Sequence, residues 1–215
     1  MLGWQAMGRW AVGWRAAACL GWATLAVLPA QASADDTRRL VQQVLASADH
    51  GQRPFAVVDK RRALVSVFHA DGALAAQSAT LLGSAQGDHS LPGVGQRTQQ
   101  AALRRADRTT PAGRFSAQPG HNLSGEAVVW LDHAAALAIH RLRSGPQHTD
   151  RAARMAGQDA QRRRVSAGCV VVPAAFFDSA VQPLLGLQRG TVYVLPEHGG
   201  HLALPDRAPQ PDSTS

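Results

Sequence analysis

Along this chain the apolar positions switch between two periods, and the switches outline the predicted elements. In residues 35–50 (DDTRRLVQQVLASADH), Leu40, Val41, Val44 and Leu45 fall on one stripe at helical spacing. Asp35, Asp36 and Thr37 are N-terminal capping candidates. This pattern predicts a short N-terminal helix within 35–53, closed by GQRP. From residue 54 the period falls to two. FAVVD, ALVSVFHA and ALAAQSATLLG read as strands separated by the turn signals DKRR and DG, which predicts a meander. Residues 84–98 have no periodicity and several glycines, and read as a long loop. The basic stretch QQAALRRADRTTPAGRF ends in a Pro-Gly turn that enters another strand, and EAVVWLD and LAIHRL are two more. Residues 143–163 form a polar, arginine-rich insertion with one helical turn expected around 149–156. After SAGCVVV, Pro173 suits the first position of a helix through AAFFDSAVQPLL, and GTVYVLPE reads as the final strand. The predicted class is α+β, rich in β structure, in a single domain over 54–197 with no internal repeat.

The two ends differ from this body. Residues 1–34 run from a basic segment with Arg9 and Arg15, through the apolar AAACLGWATLAVLP, to the small-residue string AQASA. That order describes a secretory signal peptide, with cleavage expected after Ala32 or Ala34. The apolar run is shorter than the roughly 20 residues that a membrane span requires. The prediction is therefore export to the periplasm or envelope of a bacterium, with no membrane span once the leader is removed. Residues 198–215 (HGGHLALPDRAPQPDSTS) read as a disordered tail.

Export changes the meaning of the cysteines. Cys19 leaves with the leader, and Cys169 is then alone, so no disulfide forms within the mature chain. An odd cysteine in an exported protein pairs with another molecule, stays a reactive thiol, or packs as a small buried hydrophobe. Charge narrows the partners less than its size suggests. The net charge is +7, and removing Arg9 and Arg15 leaves +5. Of the 22 basic residues only Lys60 is lysine, and no aromatic residues interleave with the arginines as a base-stacking platform needs. Nucleic acid is not predicted as a partner; anionic envelope material is.

A nucleophilic cysteine needs a base, a setting that favours thiolate and donors for a developing oxyanion. Cys169 lies in S-A-G-C, where Gly168 permits a tight turn and a close approach of substrate. The expected helix start after Pro173 would favour thiolate, and the N–H groups of Gly168 and Cys169 are candidate oxyanion donors. No metal spacing competes for Cys169: the chain lacks C-x-x-C and H-E-x-x-H, and the HGGH of residues 198–201 falls in the expected tail. No metal and no cofactor is predicted. Of nine histidines, His140 sits on an apolar strand that leads into the insertion before Cys169, and is the candidate base. Asp132 is a candidate to orient it.

Four segments in order carry a resemblance: TTPAGRF (109–115), IHRL (139–142), SAGCVVVP (166–173) and GTVYVLPE (190–197). Together, over about residues 54–197, they resemble the L,D-transpeptidase (YkuD-type) catalytic domain. That family shows a T-P-x-G-x-F turn, an I-H strand, an S-H-G-C-[IV]-R nucleophile motif and a closing G-T-x-V strand. The resemblance implies packed β-sheets with a helix after the nucleophile. It matches Cys169 to the nucleophile, His140 to its activating histidine, and Ser166 and Gly168 to supporting positions. It also implies that a main-chain carbonyl close after His140 can orient the imidazole.

The implied activity is cysteine acyl transfer on peptidoglycan stem peptides through a Cys169 thioester, with a peptidoglycan hydrolase of the same fold or a silent envelope-binding module as alternatives. The chain departs from the motif at Ala167, where the family has histidine, and at Val171, where it has arginine or another polar residue. Arg141 stands where the family often has a small residue. The arginines at 141, 143, 151, 154, 162, 163 and 164 cluster by sequence around the site. Arg141 and Arg164 are the candidate substrate-binding residues, and the insertion is a candidate lid.

Overall fold

Two rows of apolar side chains on opposite faces of the same strands decide the architecture. The computed structural model describes residues 29–198 and 202–204, with side chains from Ser33 onward. In β1 (Phe55–Asp59) every residue is buried, because side chains alternate across a strand and both faces are covered. Ala56 and Val58 point into the main core with Val65, Val67, Val192 and Val194. Phe55 and Val57 point the other way, against Leu40, Val44, Phe68 and Tyr193.

The main sheet has eight strands in the order β3-β2-β1-β10-β5-β6-β7-β9. They are β2 (Leu64–Phe68), β3 (Leu74–Ala79), β5 (Gly113–His121), β6 (Ala127–Asp132), β7 (Leu137–Arg141), β9 (Val170–Val172) and β10 (Gly190–Val194) around β1. Neighbours are antiparallel except for β1 with β10 and β7 with β9. A two-residue strand β4 (Leu82–Gly83) pairs in parallel with β8 (Arg164–Ser166). Strand β5 joins the two halves of the sheet: Gly113–Ala117 pair with β10 and Gln118–His121 with β6. The far edges also meet. Leu81 and Val171 exchange both backbone hydrogen bonds, at 2.8 and 2.9 Å, and Thr80 Oγ1 adds another to Val171 O at 2.8 Å.

Helical segments cover the two faces. The segment after β9 runs through α4 (Ala174–Phe176), a π-helical stretch (Phe177–Val181) and α5 (Gln182–Leu185), and buries Phe177, Val181 and Leu185 in the main core. On the other face lies α1 (Pro29–Ser47), packed through Leu40 and Val44. It begins six residues before the expected Asp35. Within this extension Ser33 is buried and donates to both oxygens of Asp59 at 2.6 and 2.7 Å. The first turn therefore lies within the stretch read as the end of the leader. Residues 1–28, which hold the rest of that leader, are outside the described residues. Of the expected disordered tail, Leu202 and Leu204 pack against the α1 cluster, and most of the remainder lies outside the described residues. No described helix is long and apolar enough to cross a membrane.

Two shorter helices interrupt predicted loops. The glycine-rich loop contains α2 (Val94–Gln99), and the insertion contains α3 (His148–Ala156) where one turn was expected. A buried ionic cluster holds the first of these loops down. Lys60, the sole lysine, is fully buried and donates to Gly87 O at 2.7 Å, Asp88 Oδ1 at 2.5 Å and Thr110 O at 3.0 Å. Glu197 lies 3.5 Å from the same ammonium and is paired with Arg164. Two cations face two carboxylates, as burial of charge demands.

Candidate active site

The turn that carries Cys169 is built from small side chains and internal hydrogen bonds. Ser166, at the end of β8, is buried; its hydroxyl donates to Cys169 O at 2.7 Å and accepts from Gly168 N–H at 3.1 Å. Gly168 has φ +133°, and a Cβ there would sit 3.0 Å from Thr109 O. An L side chain is strained on both counts. The Thr110 hydroxyl donates to Gly168 O at 2.7 Å and accepts from Gly83 N–H at 2.9 Å. The TTP segment is thus what clamps the cysteine turn. Gly168 N–H is occupied within the turn by Ser166, so Gly168 supports the nucleophile position through its backbone shape.

Strand pairing brings the candidate base to the same face. Strands β7 and β9 run parallel with Ile139 opposite Val170 and His140 opposite Val171. Extending that register sets Cys169 beside Ala138, two residues before His140, and alternation points both side chains to one side. Cys169 and His140 accordingly line one cavity of about 620 Å³, together with Ala138, Trp130, Arg143 and Arg151. His140 Nδ1 lies 2.8 Å from Arg141 O. A carbonyl only accepts, so the neutral ring carries its proton on Nδ1 and keeps Nε2 as the acceptor. The carbonyl orients the base, whereas Asp132 accepts from Ala135 N–H at 2.9 Å in the β6–β7 hairpin turn.

The surroundings of the thiol favour its neutral form. Cys169 Sγ donates to Ala136 O at 3.4 Å. Burial pushes the thiol up from its ordinary value, against the Ala138 N–H and the Arg143 charge. Burial likewise holds His140 below the usual imidazole value, outweighing the Arg141 carbonyl, with the Arg143 and Arg151 charges adding to the lowering. Burial thus favours thiol and imidazole over thiolate and imidazolium. The helix start expected to favour thiolate does not reach the sulfur. The three residues of β9, about 10 Å of extended chain, intervene. The alkylation rate of Cys169 by iodoacetamide is expected to keep rising with pH above the ordinary thiol range; a plateau at neutral pH would disprove the resting neutral thiol.

The candidate substrate-binding arginines are not at this cavity. Arg141 follows His140 on the strand and so points to the opposite face. There it donates to Asp178 Oδ1 at 2.7 Å and stacks 4.2 Å over the Phe177 ring. Arg164 points into the ionic cluster, donating to Lys60 O at 3.0 Å and pairing with Glu197. Of the seven clustered arginines, Arg143 and Arg151 line the cavity. Spacing alone could not select them, since the fold of the insertion decides which arginines turn inward. Trp130 and His133, 4.8 Å apart edge to face, also line it and were not candidates in the sequence. Their signal is legible afterwards: Trp130 shares β6 with the apolar Val128, two residues away on the same face.

Ala167 is exposed beside the cysteine. Val171 is buried with Leu81 and Met155, so the motif position that carries arginine in the resembling family is here part of an apolar cluster under α3. Among the described residues no group of three or more His, Cys, Asp or Glu side chains could hold a metal ion.

No protein-family model matches the chain, and no curated protein matches it. Among solved structures the chain is similar to a fused Zn-dependent amidase/peptidase/peptidoglycan-binding domain-containing protein from Clostridium acetobutylicum ATCC 824. The identity is 13%, covering 72% of this chain and 61% of that one, with a TM-score of 0.36. It is also similar to a mutant of the helical cell shape determining protein Pgp2 from Campylobacter jejuni, at 12% identity over 79% of this chain and 57% of that one, with a TM-score of 0.42. The chain spans about six-tenths of the length of these structures.

Proposed function

We propose that this chain is an exported cysteine acyltransferase of the L,D-transpeptidase type, acting on peptidoglycan stem peptides. The observation that carries the reading is the pairing of Cys169 and His140 on one face of adjacent parallel strands, lining one cavity, with the imidazole fixed through Nδ1. The four ordered motifs support the same chemistry.

In the first half-reaction the thiol leaves Ala136 O and gives its proton to His140 Nε2. The sulfur attacks the amide carbonyl between a diamino acid and a terminal D-alanine. The C–N bond breaks, D-alanine departs with the proton from His140, and the acyl group stays on Cys169 as a thioester. In the second half-reaction an amine of another stem, or water, attacks the thioester while His140 takes its proton, and the thiol is restored. An amine acceptor gives a cross-link and water gives trimming.

A neutral thiol beside a neutral imidazole suits this route, because the thiolate forms only as the base accepts the proton. Incubation of the purified protein with disaccharide tetrapeptide tests it by mass spectrometry. D-alanine release with a transient adduct on Cys169 is the expected result, and product mass then identifies the acceptor. Absence of both the release and the adduct would overturn the reading.

A further inference from the structure

The cavity around Cys169 is one-sided in charge. Arg143 and Arg151 line it along with three histidines, and no aspartate or glutamate does. The two arginines are not equivalent. Arg143 is matched by Glu126 at 2.8 Å, and that carboxylate also accepts from Asn122 Nδ2 at 2.7 Å. Arg151 has no carboxylate within ion-pair distance among the described residues. Its neighbour Asp150 is committed to Arg154 at 2.7 Å.

How α3 is seated explains why Arg151 faces inward. Met155, the buried residue of α3, packs on Leu81 and Val171. Arg151 lies four residues earlier, one helical turn away on the same face. The apolar Val171 therefore docks the helix, and the docked helix presents a cation to the cavity from the insertion.

We propose that Arg151 is the carboxylate receptor of this site and selects acyl donors that end in a free carboxylate. It rests on the reading of Cys169 as the acylated residue. The partner group is the α-carboxylate of the terminal residue that departs, which becomes bound as the sulfur approaches the adjoining carbonyl. A guanidinium suits this task because its planar fork donates to both carboxylate oxygens.

The test uses two thiol reagents that differ in charge, iodoacetate and iodoacetamide, on the full chain. The ratio of their rate constants at Cys169 reports the cation without any turnover of peptide. In the wild type the ratio is expected to exceed that of Arg151→Gln by roughly tenfold, the scale of one charge-assisted hydrogen bond. The excess is expected to shrink between low and high salt, as a partly exposed charge does. Arg151→Lys should restore part of it, and Arg143→Gln, whose charge is already balanced, should change it less. Equal ratios in wild type and Arg151→Gln, or a larger loss in Arg143→Gln, would overturn the proposal.

A second arm compares tetrapeptides with a free and an amidated C-terminus. Arg151→Gln should abolish the preference for the free acid by raising KM. Charge selectivity toward the reagents with no D-alanine release would leave the receptor standing and remove the acyl-transfer function. Release that is indifferent to Arg151 would do the reverse.

Discussion

Cys169→Ala is expected to abolish D-alanine release and the covalent adduct, and His140→Gln to lower release by at least ~10³-fold. In the proposed reaction the two groups act as one unit, the sulfur attacking only as the imidazole takes its proton. The double variant should therefore be no worse than the cysteine variant alone, because residues that share one step are strongly non-additive. Neither change should unfold the protein. Alanine removes one partly buried sulfur that donates to the Ala136 carbonyl at 3.4 Å. Glutamine keeps a donor for Arg141 O. Thermal unfolding of both variants beside the release assay separates lost chemistry from lost fold. Release that persists in Cys169→Ala would remove the cysteine from the mechanism altogether.

Lys60→Met is the second change with a large expected effect, and it acts on the fold. The ammonium is fully buried and satisfies two carbonyls and the Asp88 carboxylate, with Glu197 at 3.5 Å. Removing one side of a buried ionic cluster leaves the other uncompensated, at a cost of about 3–5 kcal/mol. Urea denaturation should show that loss as a lower midpoint with an unchanged slope.

The pH dependence carries a second signature. Burial pushes Asp88 up, but the Lys60 ammonium and the Glu197 N–H outweigh it and hold the carboxyl below its ordinary value. A depressed carboxyl stabilises the fold above its unfolded value, and that stability is lost as pH falls through the lower folded one. The variant should therefore lose less stability between neutral and strongly acid pH than the wild type does. A midpoint within about 1 kcal/mol of wild type would show that the cluster tolerates the loss. The damage should also reach the site, because Lys60 holds Thr110 O while the Thr110 hydroxyl holds the Cys169 turn.

What the sequence made legible follows from which signals are local. Alternation located β1, β2, β6 and β7 to within a residue or two and β10 to within three, since period two survives in any strand with a covered face. It could not show that β1 is covered on both faces. That depends on α1, which is tied down by the contact of Ser33 with the distant Asp59. The run ALAAQSATLLG read as one strand where the structure has β3 and the two-residue β4, and β8 escaped because three residues carry no period.

Cys169 and His140 were visible as candidates from residue type, order and the resemblance, and the structure lines one cavity with both. The arginines were not, because a guanidinium reads alike whether it stacks on Phe177, joins a buried cluster or enters a cavity. For Arg141 the deciding fact was already in the sequence: on a strand, the residue after His140 must face the other way. Arg164 needed the position of Glu197, and Arg151 needed the docking of α3. Lys60 looked like part of a turn and proved to be the centre of a buried network, since nothing local reports what closes over a side chain.

The path of the chain around the cavity also separates two kinds of change. Cys169 and His140 belong to the continuous sheet, tied to its neighbours by strand pairing and by the Thr110 clamp. Arg151 belongs to a surface excursion between β7 and β8 that touches the sheet chiefly through Met155 and Arg163. Exchanging that excursion for one of different charge would alter which acyl donors are preferred while leaving the reacting pair in place. On the proposed function, substrate range and chemistry are thus written on different parts of the chain, and each can vary with little disturbance to the other.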